Sequence, residues 1–206
     1  MKLDKISSLE KYTTGEEEPS FKFLEQFCEK FGINFQWMTE GISEPFYNEK
    51  YIRFDPIDYY EEIERLQPEK IYFIRCNSEI SEFFIVLKLA DWNYLICHRI
   101  WHLSDHVGGT GRDQLVKFYK LVNKLRNNGF YCKCSGRTLT NDKFDKLYLG
   151  QVFPAEIINI SQTDNPWWDD FTDIKHHYPI AESYLKMYGQ SFINAQKIVL
   201  TELKYR

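Results

Sequence analysis

Residues 83–100, which read FFIVLKLADWNYLICHRI, decide the fold class of this chain. Two apolar runs, at 83–89 and 94–100, flank a short segment that starts at Ala90 and ends at Asn93. Runs of aliphatic and aromatic residues on either side of an Asp- and Asn-containing segment predict two antiparallel strands joined by a tight hairpin turn. Because both runs are apolar at nearly every position, we expect both strands to be central in a sheet that is covered on both faces.

The elements around the hairpin extend the pattern to an α+β fold. Apolar spacing predicts strands at 71–76 and 130–139 and helices at 58–67, 113–127, 141–149 and 180–204. Asn128-Gly129 is expected to stop the second helix, and the third is expected to be capped by Thr140 and ended by Gly150. The first helix is short and acidic, and the last has a weak point at Gly189. Pro154 argues against a central strand within 152–160. The sequence therefore predicts an α+β domain with a mainly antiparallel sheet.

The first 41 residues have a helical pattern instead. Pro19-Ser20 is typical of a helix start, with the Ser20 hydroxyl as the cap, and Gly32 is expected to end that helix in the left-handed conformation. Asn34 can cap a second, shorter helix that ends at Gly41. The apolar positions of the first helix recur at helical steps and are Phe23, Leu24, Phe27, Cys28 and Phe31. Such side chains are too apolar for a solvated segment, so we expect them to be packed.

Several of these residues match a known pattern. They are Ile6-Ser7-Ser8-Leu9-Glu10, Gly15, Pro19-Ser20, Leu24, Phe31-Gly32-Ile33-Asn34, Trp37-Met38 and Gly41. Their order and spacing resemble the second half of the helix-turn-helix domain of the Cro and phage-repressor (XRE) family. The resemblance covers about a fifth of the chain. It implies a partial helix-turn-helix domain at 1–41 and a DNA-binding transcriptional regulator of the repressor type, and it places the base-reading part of the recognition helix before Ile6.

Charge weighs against strong DNA binding by the residues present. Phosphate binding needs clustered cations. The candidates within the resembling segment are Lys2, Lys5 and Lys11, beside the hydroxyls of Ser7, Ser8 and Thr13. Residues 1–50 contain six Lys and no Arg against ten acids, which gives a net charge of −4. We therefore expect impaired DNA reading: either an upstream extension completes the domain, or the chain is a remnant that kept the dimer or packing half.

Composition bounds the rest of the chain. Its 206 residues, 17% of them aromatic, suffice for one large or two small domains. We expect two domains, a partial helix-turn-helix domain at 1–41 and an α+β domain at 69–206. A linker with a short helix, at 42–68, joins them. No apolar run is long enough to span a membrane and no secretory signal is visible, so no membrane partner is expected. Five Cys without disulfide-like density favour a reducing cytoplasm.

A Gly-rich segment before a predicted helix is the best candidate for a ligand site in the α+β domain. In GGTGR, residues 108–112, the amides of Gly109 and Gly111 and the guanidinium of Arg112 could bind an anion at the helix N-terminus. The segment is not a phosphate loop, because no Lys follows a glycine there. The alternative interpretation is a flexible strand-to-helix connection.

Other groups of reactive side chains point to structural roles. His98, His102 and His106 are spaced by four, but on a strand that spacing would spread them over roughly 26 Å, too far for one metal without a sharp bend. Cys132 and Cys134 lack the two-residue spacer of redox and zinc motifs. Trp167-Trp168 could anchor a loop to the core or form a patch that faces a partner, and the nearby Asp169-Asp170 is expected to be solvated.

Three functions remain open at this point. The first is a repressor-type regulator whose α+β domain serves dimerisation or ligand sensing; its partners would be DNA, if an upstream extension completes the domain, and a second copy in a homodimer. The second is a protein–protein interaction module that retains only the rear helices of the regulator domain. The third is an enzyme on the α+β domain, although no nucleophile elbow, metalloprotease motif or nucleotide fingerprint is present, so we assign no catalytic residue, metal or cofactor.

Overall fold

The structure is a computed structural model that describes residues 6–160 and 165–205, without the side chains of residues 6–8. The helices within these ranges are α1 Ile6–Thr14, α2 Phe21–Phe31, α3 Phe35–Glu40, α4 Tyr59–Leu66, α5 Gly109–Asn127, α6 Asn141–Leu149, α7 Pro154–Ile158, α8 Trp167–Asp170, α9 Ile180–Tyr188 and α10 Gln190–Lys204. The strands are β1 Lys70–Cys76, β2 Glu82–Ala90, β3 Asn93–His102 and β4 Cys134–Leu139. In this part of the chain, no helix is both long and apolar enough to cross a membrane.

The sheet has the strand order β3-β2-β1-β4. Strands β1, β2 and β3 pair antiparallel, and β4 joins the free side of β1 in parallel. Ala90 pairs with Asn93, so Asp91 and Trp92 form the two-residue turn between β2 and β3, and the predicted hairpin is confirmed. The predicted α+β class with a mainly antiparallel sheet is confirmed as well.

One expectation about the hairpin is wrong: β2 is central, but β3 is an edge strand. The reason is that β4, after the crossover through α5, adds to the β1 side of the sheet and leaves β3 at the opposite edge. Strand β3 is nevertheless apolar because both of its faces are covered. Leu95 and Cys97 are buried in one core, and Tyr94 and Ile96 are buried in the other.

Alternation along the strands divides the interior into two cores. Phe73, Phe83 and Ile85 face the larger core, which also contains the apolar side chains of α4, α5, α8 and α10. Ile74 and Phe84 face the smaller core, which α6 and α7 cover. The sheet is therefore a middle layer between two helical layers, which explains why its strands are apolar at consecutive positions.

The caps of the N-terminal helices are confirmed. Ser20 Oγ accepts a hydrogen bond from Phe23 N at 3.3 Å, and Asn34 Oδ1 accepts one from Gln36 N at 3.0 Å. Gly32 and Gly41 end α2 and α3 with φ values of +66° and +68°. The apolar stripe of α2 is only half-buried, apart from Cys28, and its Phe rings pack mainly against one another.

Elsewhere the structure refines the element bounds. Helix α5 begins at Gly109, four residues before the predicted start, and β4 begins at Cys134 after a turn of 3₁₀ helix at Tyr131–Lys133. The final helix is two helices that meet at Gly189, the predicted weak point. Thr140 precedes α6 without a capping hydrogen bond from its side chain.

Candidate functional site

A cleft of about 790 Å³ separates the N-terminal helices from the sheet. Its residues come from three parts of the chain: the end of α2 with α3 and residues 42–43, the segment 46–51, and the hairpin end of β2 and β3. This volume lies within the range of small-molecule binding sites, and junctions between structural units are common places for such sites. We therefore take this cleft as the candidate functional site.

The first wall forms where the end of α2 meets the start of β3. Gly32 lies so close to the strand that an ideal Cβ there would come within 2.8 Å of Asn93 Oδ1. The Asn93 amide Nδ2 donates to the carbonyl oxygens of Glu29 and Lys30, at 3.3 and 3.0 Å. These carbonyls belong to the last turn of α2 and lack helical partners, so Asn93 both caps α2 and attaches it to the sheet.

The second wall joins α3 to the segment that follows it. Asn34 Nδ2 donates to the carbonyl oxygen of Glu44 at 3.2 Å, and the backbone N–H of Asn34 donates to that of Pro45 at 2.7 Å. Asn34 therefore caps α3 with its Oδ1 atom and holds the returning chain with its two N–H donors.

The third wall, residues 46–51, is held against the α+β core. The N–H of Phe46 donates to the carbonyl oxygen of Gly150 at 2.9 Å. Gly150 has a φ of +76°, and an ideal Cβ there would lie 2.6 Å from Tyr47 N, so this contact requires glycine. Tyr51 O accepts a hydrogen bond from the buried Tyr59 hydroxyl at 2.8 Å. The segment from the predicted linker is thus packed against the body at both ends of the wall.

A buried histidine lies behind this wall. The Tyr47 ring packs on the His98 ring with centroids 4.4 Å apart, and the Tyr148 ring contacts His98 from α6 at 5.7 Å. His98 is 4% exposed, and its burial lowers its pKa to about 4, because the imidazolium form would lose its hydration. His98 is therefore neutral at pH 7, and it packs as an aromatic ring between the wall and the sheet.

Both charged and aromatic groups line the cleft. The charged lining residues are Glu25 and Glu29 of α2, with Glu49 and Lys50 on the opposite wall. The Lys50 ammonium lies 5.6 Å from the centroid of the Tyr51 ring. The aromatic lining residues are Phe35, Phe46, Tyr47, Tyr51 and Tyr94. Among the described residues, the lining contains no Cys–His or Ser–His pair.

Of the residues predicted to contact DNA, Lys11 and Thr13 have described side chains, and neither lines the cleft. Lys2 and Lys5 lie outside the described residues, and Ser7 and Ser8 belong to α1 but their side chains are also outside that description. Lys11 forms an exposed ion pair with Glu17 at 3.6 Å, and the Thr13 hydroxyl donates to the carbonyl oxygen of Glu10 at 2.9 Å. Their assignment to DNA contact remains a prediction.

The Gly-rich segment at 108–112 is the first turn of α5. Gly108 is the N-cap residue, Gly109 and Gly111 are helical, and the exposed Arg112 donates its backbone N–H to the carbonyl oxygen of Gly108 at 3.0 Å. An ideal Cβ at Gly111 would lie 2.5 Å from Val107 Cβ, so the glycine there permits the close approach of Val107. None of these residues lines the cleft, and the anion site remains a prediction.

The other candidate groups occupy separate places. His98 and His102 are on β3 and His106 follows it, and within the described ranges no cluster of three His, Cys, Asp or Glu side chains is arranged to hold a metal. Trp167 and Trp168 are buried in the larger core, so they anchor their segment and do not form a surface patch. Cys132 is exposed, while burial raises the pKa of Cys134 to about 12.

Sequence reasoning missed a buried polar network at the end of β1. Arg75 is 4% exposed and donates from its guanidinium to Ser81 Oγ and to the carbonyl oxygen of Tyr188, both at 2.9 Å. The guanidinium also lies over the Tyr188 ring, and the Tyr188 hydroxyl donates to Asp170 at 2.5 Å. Tyr188 thus connects a buried cation with a carboxylate. The sequence feature that could have predicted this network is Arg75 itself, a charged residue inside an otherwise apolar strand.

The cleft was also missed, because its walls come from segments far apart in the chain and no local motif marks them. Comparison with family models, curated proteins and solved structures gives no match to this chain.

Proposed function

We propose that this chain is a regulator of the repressor type, in which α1–α3 are the rear part of a helix-turn-helix unit and the α+β body is the sensing part. The observation that supports the proposal is the capping pattern of α2 and α3. Ser20, Gly32, Asn34 and Gly41 stand at the helix ends where the resemblance to the Cro and phage-repressor family requires them. The attachment of α2 to β3 through Asn93 would couple the helices to the body.

DNA reading by these residues is proposed to be weak. Lys11 is paired with Glu17, and the net charge of residues 1–50 is −4, so phosphate binding has little electrostatic support. DNA becomes a strong partner only where additional basic helices complete the unit. We further propose a homodimer in a reducing cytoplasm, in keeping with the five free cysteines.

The proposal can be tested by tagging the gene at its natural locus, so that any completing helices are present, and mapping where the tagged protein crosslinks to the genome. A regulator is expected to be enriched at discrete sites, and the enrichment is expected to fall when Lys2, Lys5 and Lys11 are all changed to Gln. The control variant is Lys22→Gln with Lys30→Gln, two lysines of α2 outside the predicted contact set. Absence of enrichment at any site would contradict a regulatory role at DNA.

In vitro, the purified chain is expected to bind random duplex with a Kd no tighter than the roughly 10⁻⁴–10⁻⁶ M of non-specific binding. Fluorescence anisotropy at low salt measures this. Nanomolar binding that is lost in the Lys2, Lys5 and Lys11 variant would show that DNA reading is intact and would contradict the proposed weakness.

One observation favours an interaction module as the second candidate function. Phe21 at the start of α2 is 73% exposed, and Trp37 of α3 is partly exposed as well. Exposed aromatic side chains of this kind often serve as anchors at protein interfaces. If this candidate is right, Phe21→Ala and Trp37→Ala will abolish co-purification of a partner and leave genomic crosslinking at background level.

A further inference from the structure

The cleft between the N-terminal helices and the sheet is formed before any ligand arrives. Each wall is held by hydrogen bonds or by a close glycine contact: Asn93 to the end of α2, Asn34 to Glu44 and Pro45, and Gly150 to Phe46 and Tyr47. A site with fixed walls binds a small molecule without first ordering a loop, which lowers the entropic cost of binding. Its volume of about 790 Å³ accommodates a molecule of one or two rings.

The charged side chains on the walls of the cleft favour a positively charged ligand. Three carboxylates line the cleft against one ammonium, and they stand on both sides of it, with Glu25 and Glu29 on α2 and Glu49 on the facing segment. Within the part of the chain that the structure describes, none of the three forms an ion pair with a protein cation.

The interior between these carboxylates is aromatic and aliphatic. Phe35, Phe46 and Tyr94 come from three different segments and converge on the cleft, together with Ile33 and Leu95. Tyrosine and phenylalanine faces attract cations and also pack on flat apolar groups. The Lys50 ammonium lies over the Tyr51 ring, 5.6 Å from its centroid.

We infer that this cleft is a binding site for a small organic cation, a protonated amine attached to an aromatic or apolar body. The body packs among the aromatic lining residues, and the amine donates to the carboxylates of Glu25, Glu29 or Glu49. A ligand in this position touches both α2 and the segment 46–51. Binding of the amine requires no DNA, so the site goes beyond the proposed regulatory role and is tested separately from it.

The test uses the full chain and two probes of nearly equal shape. Tyramine carries a protonated amine, and tyrosol carries a hydroxyl at the same place. Titration followed by the amide signals of Gly32 and Asn93, which both line the cleft, is expected to show tyramine binding about tenfold more tightly than tyrosol, because charge-assisted hydrogen bonds are roughly twice as strong as neutral ones. Raising the salt concentration is expected to reduce that difference.

Variants locate the site. Glu25→Gln, Glu29→Gln and Glu49→Gln are each expected to weaken tyramine binding about threefold, in line with the modest strength of exposed ion pairs. Glu40→Gln makes the same charge change on an exposed residue of α3 outside the lining, and it should leave the affinity unchanged. All four side chains are exposed, so the variants are expected to fold, and their melting temperatures verify this.

Three results would overturn the inference. The first is equal binding of tyramine and tyrosol, which would remove the role of charge. The second is an equal loss of tyramine affinity in all four Glu variants, which would indicate a general effect of the net charge of the protein. The third is unchanged Gly32 and Asn93 signals up to the solubility limit of tyramine. None of these measurements involves DNA, so they test the cleft even if the chain does not bind DNA.

Discussion

Gly32 at the end of α2 faces the carbonyl oxygen of Tyr94 at the start of β3, and an ideal Cβ at Gly32 would lie 2.9 Å from that oxygen. Real Cβ atoms do not approach a backbone oxygen so closely, so the contact requires glycine. The φ of +66° at Gly32 requires it independently. One residue therefore ends a helix and also sets the distance between the N-terminal helices and the sheet.

The first prediction separates these two roles of Gly32. Gly41 has a similar φ of +68° but nothing within 4 Å of its ideal Cβ. Gly41→Ala is therefore expected to lower the free energy of unfolding only through the left-handed conformation of the Ala, by about 1–2 kcal/mol. Gly32→Ala is expected to cost about 1–3 kcal/mol more, because α2 must also move off β3. Urea unfolding measures both free energies, and equal losses would show that the contact with Tyr94 carries no stability.

The second prediction concerns two tryptophans in opposite environments. Trp167 is fully buried in the larger core and donates from its indole N–H to the carbonyl oxygen of Phe73 at 3.3 Å. Trp167→Ala is expected to reduce the free energy of unfolding by about 3–5 kcal/mol. Trp92, in the turn of the hairpin, is half exposed, and its change to Ala should cost less than about 1 kcal/mol. Thermal or urea unfolding tests the pair, and a small effect at Trp167 would contradict its role as an anchor.

The third prediction is a dependence of stability on pH that comes from His98. Its pKa in the folded chain is about 4, below the value of about 6.5 that an unfolded His has. The unfolded state therefore binds a proton first as the pH falls, so stability decreases between about pH 6.5 and pH 4, by up to about 3 kcal/mol. His98→Gln is expected to flatten the profile in this range.

The matched control for His98 is His106→Gln, because the His106 side chain is largely exposed. Its profile should follow that of the unchanged chain between pH 4 and pH 7. If His98→Gln and His106→Gln give the same pH profile, the acid sensitivity originates elsewhere in the protein.

The fourth prediction tests the link between α9 and Asp170 of α8. Tyr188 donates to one oxygen of Asp170 at 2.5 Å, whereas Tyr184 donates to the other at 3.2 Å. Tyr188→Phe is expected to cost about 1.5–3 kcal/mol, as is usual for a hydrogen bond to a charged group. Tyr184→Phe should cost less, because its bonds to Asp170 and Asp173 are longer and its side chain is less buried. The reverse order in chemical unfolding would contradict this ranking.

Local features of the fold were predictable from the sequence for a physical reason. The turn at Asp91-Trp92, the Ser20 and Asn34 caps, and the helix ends at Gly32, Gly41 and Gly150 depend on interactions within a few residues. The break at Gly189 belongs to the same group. A turn or a cap is stabilised by its own residues, so its pattern is visible in a short window of sequence. The α+β class followed from these local patterns taken together.

Only the tertiary structure decided how these elements combine. The sequence placed β3 in the centre of the sheet, but the parallel pairing of β4 with β1 left β3 at an edge, and apolar runs alone cannot distinguish an edge strand that helices cover from a central one. The cleft arose in the same way, since Glu29, Tyr47 and Asn93 meet there from distant parts of the chain. Such contacts depend on which strands pair and which faces pack, and these are properties of the whole chain rather than of any short segment.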